Sequence, residues 1–226
     1  MPELVRPAPR TPFDLSVYLV TDTAKCGGPD GVVQTVRESV AAGVTLVQLR
    51  DPQLAEPEFI ALGRRLTAAL AGTGVPLLVN DRVELVAAIG AQGAHVGQSD
   101  LPVGQARELL GSEAILGLSA ASAAELSAAL AAGVESIDYV GLGALRTTAT
   151  KPEVEPVGLA RAAHLVSISP WPVCAIGGVR AEDVPALAAL GCQGTAVVSA
   201  ICGQPDVTRA TRQLVAAWAQ ARSQAC

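Results

Sequence analysis

The strongest constraint on this chain is an alternation. From Val17 onward, short apolar, β-branched runs alternate eight times with longer Ala- and Leu-rich segments. The runs are 17–20, 46–49, 76–79, 93–96, 115–118, 139–142, 173–176 and 195–198. Continuously apolar strands suit a parallel sheet buried on both faces. Their shortness and flanking glycines, rather than periodicity, separate them from buried helix. Between them the pattern predicts helices near 31–42, 57–71, 82–89, 103–110, 122–132, 157–166, 181–190 and 206–221. Gly43, Gly72, Gly90, Gly111, Gly133 and Gly191 stand where several of these end, as left-handed stops should. Ser122 and Asp206 are expected N-caps.

Eight βα units predict an α/β chain folded as a single-domain (β/α)8 TIM barrel over 17–226. The competitor is an open doubly wound sheet. Its first strand would usually lead into Gly-x-Gly-x-x-Gly, whereas here Thr21-Asp22-Thr23 follows. Residues 1–16 carry four prolines and no apolar run, and read as a flexible Pro-rich leader.

Composition removes several function classes. Half of the residues are hydrophobic, so the chain can bury a core and is not disordered. A net charge of -5 and only 3% aromatics argue against nucleic-acid binding. Charged residues and glycines interrupt every apolar stretch, so no membrane span is expected. Five cysteines, an odd number with no Cys-x-x-Cys pair, favour reduced thiols and a cytoplasmic location over disulfides or zinc. Cys174 and Cys192 read as small core residues. A homo-oligomer is left open.

Chemistry in such a barrel sits at the C-terminal strand ends. Strand 2 ends in Gln48-Leu49-Arg50-Asp51, with Gln48 and Arg50 on one side. Arg50 either pairs with Asp51 or Asp81 on the rim or forks onto a phosphate. Strands 3 and 4 end in Asn80-Asp81-Arg82 and Gly97-Gln98-Ser99-Asp100. Either aspartate alone reads as a helix cap. Neighbouring parallel strands lie about 4.8 Å apart, so the pair can face one point and favours a Mg²⁺–phosphate site. His95 reads as a hydrogen-bonded core residue and His164 as a surface one. After strand 6 a long loop carries Thr147, Thr148, Thr150 and Lys151, groups able to close over an anion. Gly177-Gly178 after strand 7 and Ser199 after strand 8 suit a backbone phosphate cup. No Ser-His-Asp set, reactive cysteine environment or strong general base is visible. The inventory is two anionic sites at one barrel mouth.

These residues resemble the thiamine phosphate synthase (thiamine-phosphate pyrophosphorylase) family. The segments are "YLVTD", "GVTLVQLRD", "VNDRVELVAAIGAQGAHVGQSDLP", "ILGLS", "YVGLGALRTTATK", "VCAIGGV" and "GCQGTAVVSAI", in the family's order. Asn-Asp-Arg and His-x-Gly-Gln-x-Asp-Leu are the most specific. The resemblance implies a Mg²⁺-dependent transferase of thiamine biosynthesis. It joins 4-amino-2-methyl-5-hydroxymethylpyrimidine diphosphate to 4-methyl-5-hydroxyethylthiazole phosphate and releases diphosphate by dissociative substitution. It implies Asp81 and Asp100 as Mg²⁺ ligands. Gln48, Arg50, Asn80, Ser119 and Lys151 would bind the pyrimidine diphosphate, with Arg50, Ser119 and Lys151 as catalytic candidates. Thr148, Thr150, Gly178, Val198 and Ser199 would bind the thiazole phosphate. Two departures stand out. Pro52 takes the last place of a Gln-x-Arg-x-Lys pattern, so one cation is missing, and Arg146 is a candidate replacement. Ala121 stands where a sister group of thiazole isomerases has histidine, which argues against that activity. A thiazole tautomerase-like enzyme and a non-catalytic thiamine-phosphate-binding barrel are the alternative readings.

Overall fold

A computed structural model describes residues 12–146 and 156–224. Eight parallel strands close into a barrel in sequence order. They are β1 (Val17–Val20), β2 (Leu46–Leu49), β3 (Leu77–Asn80), β4 (Gly93–Val96), β5 (Ile115–Ala120), β6 (Tyr139–Leu142), β7 (Val173–Ile176) and β8 (Gly194–Val197). The return pairing of β1 with β8 aligns Tyr18 with Ala196. An open doubly wound sheet is thereby excluded.

One helix follows each strand: α1 (Pro29–Ala41), α2 (Glu56–Leu70), α3 (Val86–Ile89), α4 (Val103–Leu110), α5 (Ala123–Ala131), α6 (Gly158–Ile168), α7 (Val184–Ala189) and α8 (Val207–Gln224). Single 3₁₀ turns lead into α3 and α7, over Val83–Leu85 and Ala181–Asp183. All six expected stop glycines have positive φ. Gly90 shows the geometry plainly, closing α3 at φ 77° and ψ 30°. Ser122 caps α5 by accepting from the Glu125 N–H, and Asp206 Oδ1 accepts from the Arg209 N–H at 2.8 Å.

Three strand boundaries differ from expectation, each by a residue or two. β3 runs one residue later, because Asn80 still pairs with His95 of β4. β5 extends through Ser119 to Ala120, which pair with Gly141 and Leu142. β8 starts and ends one residue earlier, leaving Val198 just beyond the strand. Residues 13–16, read from sequence as part of a flexible leader, are packed against the barrel. Leu15 and Ser16 are buried, and the Phe13 ring lies 5.7 Å from that of Tyr139. These residues close the bottom of the barrel because its interior there is apolar. Residues 1–11 lie outside the described residues.

The core is divided in two. A large aliphatic shell, with Leu19, Val47, Val79 and Leu116, packs the outside of the barrel against the helices. A smaller inner cluster contains Leu15, Tyr18, Val20, Leu46 and Tyr139. The alternation of strand side chains produces this division: Val17 and Leu19 face out, Tyr18 and Val20 face in. A buried ion pair ties the shell together. Arg107 of α4 meets Asp138 at 2.7 Å, with side chains 13% and 7% exposed. Arg107 also donates to the carbonyls of Ser136, Gly111 and Ala114.

Cysteine chemistry departs from the sequence reading at one place. Cys174 and Cys192 are buried, and burial pushes both thiols up. Cys26, after β1, instead has the Cys202 thiol, after β8, as its neighbour, and that neighbour holds the Cys26 thiol down at about 6. A thiol lowered this far is mostly thiolate at neutral pH. Iodoacetamide should therefore modify Cys26 with a rate that rises through about pH 6 and levels off by neutrality. Peptide mass spectrometry would read each site, with Cys174 and Cys192 silent in the folded protein. Labelling of Cys26 confined to alkaline pH would refute the thiol pairing.

Candidate active site

A cavity of about 730 Å³ opens at the C-terminal ends of the strands. Nine residues singled out from sequence line it. Gln48 and Arg50 come from the end of β2, Asn80 and Asp81 from β3, and Asp100 from the loop after β4. Ser119 comes from β5, Gly178 from the turn after β7, and Val198 and Ser199 from the turn after β8. Thr148, Thr150 and Lys151 lie outside the described residues.

The acidic wall is built on two neighbouring strand ends. Asp81 adopts φ 62°, and among the described residues no other non-glycine has positive φ. Strain of this kind gathers at functional sites. Its N–H donates to the His95 carbonyl at 2.9 Å, and its carboxylate accepts from Asn80 Nδ2. Asp100 Oδ2 accepts from the Gly97 N–H at 2.7 Å, which folds the loop after β4. The capping reading of these aspartates is not what the structure shows: Pro102 occupies the N-cap of α4. Glu125 is a third carboxylate on the wall, tied to the Ala121 N–H.

Opposite lies a turn of a different character. Gly177 and Gly178 have φ of 90° and 72°, consecutive left-handed residues. Successive backbone N–H groups in such turns make anion-binding concavities. A side chain at Gly177 would overlap Ala144. Arg146 braces the turn from outside, donating to the Gly178 carbonyl at 3.0 Å and twice to Asp183. That placement corrects the expectation that Arg146 replaces the cation missing at Pro52. Asp183 holds Arg146, whereas Lys25 from the loop after β1 does line the cavity. The Lys25 N–H is fixed on Asp22 Oδ1 at 2.9 Å. A lysine in a Gly- and Thr-rich loop carried no sequence signal.

The floor of the cavity is polar and joined by a chain of hydrogen bonds. Gln48 Nε2 donates to Tyr18 Oη at 2.5 Å, and Tyr18 Oη lies 2.9 Å from Tyr139 Oη. Tyr139 Oη lies 2.8 Å from His95 Nδ1, and His95 Nε2 lies 2.8 Å from Ser119 Oγ. The reading of His95 as a hydrogen-bonded interior residue therefore holds. Burial pushes both phenols well above their ordinary range, so they stay protonated.

The pattern of residues along the chain agrees with this geometry. A family model described as thiamine monophosphate synthase matches residues 17–201. The chain belongs to this family. A thiamine-phosphate synthase of Azorhizobium caulinodans is 47% identical over 204 residues, covering 90% of this chain and 94% of that one. One from Laribacter hongkongensis is 42% identical over 205 residues, covering 90% and 95%. Among solved structures, a thiamine phosphate pyrophosphorylase from Pyrococcus furiosus superposes with a TM-score of 0.81 at 29% identity, covering 94% of this chain and 98% of that one. A 3-hexulose-6-phosphate synthase, at 18% identity and a TM-score of 0.66, shares the fold. The thiamine monophosphate synthase match spans every described lining residue of the cavity, from Tyr18 to Ala200.

Proposed function

We propose that this chain is a thiamine phosphate synthase. It would join 4-amino-2-methyl-5-hydroxymethylpyrimidine diphosphate to 4-methyl-5-hydroxyethylthiazole phosphate and release diphosphate. The carrying observation is one cavity with an Arg50–Asn80 edge on one side and a left-handed glycine turn on the other. Two substrates that each bear an anionic group, and must meet between them, suit that layout. The volume falls within the usual range of about 300–1,000 Å³ for ligand pockets.

In this reading Arg50, Lys25 and Asn80 hold the diphosphate, together with Lys151 from the loop after β6. The glycine turn, Val198 and Ser199 hold the thiazole phosphate, with Thr148 and Thr150. The pyrimidine C–O bond breaks first and its electron pair leaves with diphosphate. The thiazole nitrogen lone pair then forms the new C–N bond to the methylene cation. No proton need be removed, so this substitution asks for no general base. Arg50 and Lys25 act by stabilising charge on the leaving oxygens.

Mg²⁺ fits the acidic wall. Asp81 and Asp100 bring hard oxygen donors to the same cavity, the donor type this ion prefers. Among the described residues no group of three His, Cys, Asp or Glu could hold a metal alone, so diphosphate oxygens would complete the shell. Bound there, the ion would neutralise charge on the diphosphate. A cytoplasmic location belongs to the same reading. No described helix is long and apolar enough to cross a membrane.

The test is diphosphate release with both substrates and Mg²⁺, set against omission of each. Release requiring all three is expected. Both ligands binding by calorimetry without turnover would instead make the chain a binder. Turnover of a thiazole carboxylate without the pyrimidine would make it an isomerase.

A further inference from the structure

The hydrogen-bonded floor has a direction. The Gln48 amide nitrogen can only donate, so Tyr18 Oη accepts from it. Tyr18 must then spend its own proton on Tyr139, and Tyr139 spends its proton on His95 Nδ1. A neutral ring that accepts at Nδ1 carries its hydrogen at Nε2. That hydrogen donates to Ser119 Oγ. Ser119 Oγ has no other hydrogen-bond partner among the described residues, so its own proton is left for the cavity it lines. At the opposite end, Gln48 Oε1 likewise has no partner among them and is left as an acceptor.

We propose that Tyr18, Tyr139 and His95 form a one-way relay that fixes Ser119 as a hydrogen-bond donor and Gln48 as an acceptor toward the substrate. Tyr18 and Tyr139 are positioning residues, since they act through His95, Ser119 and Gln48. The relay selects a heterocycle with complementary edges: a donor such as an exocyclic amine for Gln48, and an unprotonated ring nitrogen for Ser119. An oxo analogue of the aminopyrimidine presents the reverse pattern and is rejected. This assignment of substrate polarity rests on the synthase reading; the relay itself does not.

The barrel is shaped around these rings. A Cβ on Gly117 of β5 would overlap the Tyr139 ring. One on Gly141 of β6 would stand 2.9 Å from His95 Cε1. Glycine inside a strand marks such close approach. Five strands contribute the relay's side chains, so its order is a property of the closed barrel.

The chain has two histidines, so the exposed His164, changed to Gln, leaves His95 alone for nitrogen NMR. In the ligand-free protein His95 should show an unprotonated Nδ1 and a protonated Nε2. Y139F should mix the two tautomers and raise KM for the pyrimidine diphosphate about tenfold, with kcat changed less. Y18F should leave the His95 tautomer intact while also raising KM, through a loosened Gln48. A purely structural role would not separate the two variants. A protonated Nδ1 in the unmutated relay would overturn the proposal, as would Y139F with tautomer and KM unchanged. If Y139F fails to fold, the first NMR measurement still decides. That spectrum needs no turnover, so an inactive protein with the expected tautomer would reject the synthase reading and retain the relay.

Discussion

Changing Asp81 to asparagine is expected to slow diphosphate release by about two to three orders of magnitude while leaving the fold intact. Asparagine is the informative replacement. Residue 81 sits at φ 62°, and asparagine tolerates that region where alanine does not. D81N therefore removes the charge and little else, and its melting temperature should stay within about 2 °C of the parent. With Asp81 holding Mg²⁺ as proposed, its loss would remove several kcal/mol of charge stabilisation, and each 1.36 kcal/mol is roughly tenfold in rate. D100N should behave alike, with a raised Mg²⁺ requirement in both. Chelation of the parent should abolish release, and added Mg²⁺ should restore it. Equal rates in D81N and parent at limiting Mg²⁺ would remove Asp81 from the site.

The largest effect on stability is expected far from the cavity. R107A should lower the unfolding free energy by about 3–5 kcal/mol, because it strands a buried carboxylate. For a domain of this size that is about 6–20 °C in melting temperature. Asp138 would keep its bond from the Leu116 N–H, while the carbonyls of Ser136, Gly111 and Ala114 lose a donor. Calorimetric scans of parent, R107A and D138N would check this. A shift under 2 °C for R107A would contradict it. Activity per folded molecule should change little, since neither residue lines the cavity.

The barrel was legible because each strand is locally marked. Apolar runs, glycine stops and a count of eight require no knowledge of which strand meets which. The lining residues were legible for the same reason: strand ends in this architecture converge on one mouth. Gln48, Arg50, Asn80, Asp81, Asp100 and Ser119 follow from that rule alone. What stayed hidden depends on partners distant in sequence. Tyr18 and Tyr139 read as ordinary apolar strand members until the closed barrel brings their hydroxyls together. Cys26 looks inert until Cys202 is beside it. Arg146 looked available because Asp183 is far along the chain, and Lys25 looked incidental because its loop has no motif.

The division of the interior into an aliphatic shell and a small inner cluster separates two kinds of tolerance. Most apolar burial lies in the shell, so folding free energy resides chiefly there. The lumen can then carry tyrosines, a histidine and an amide without endangering the scaffold. Substitutions scattered through this chain should fall into two populations: shell changes that alter how much protein survives, and lumen changes that alter what the surviving protein accepts. A barrel partitioned in this way can acquire a new substrate by drift in its lumen while its outer architecture stays under separate selection.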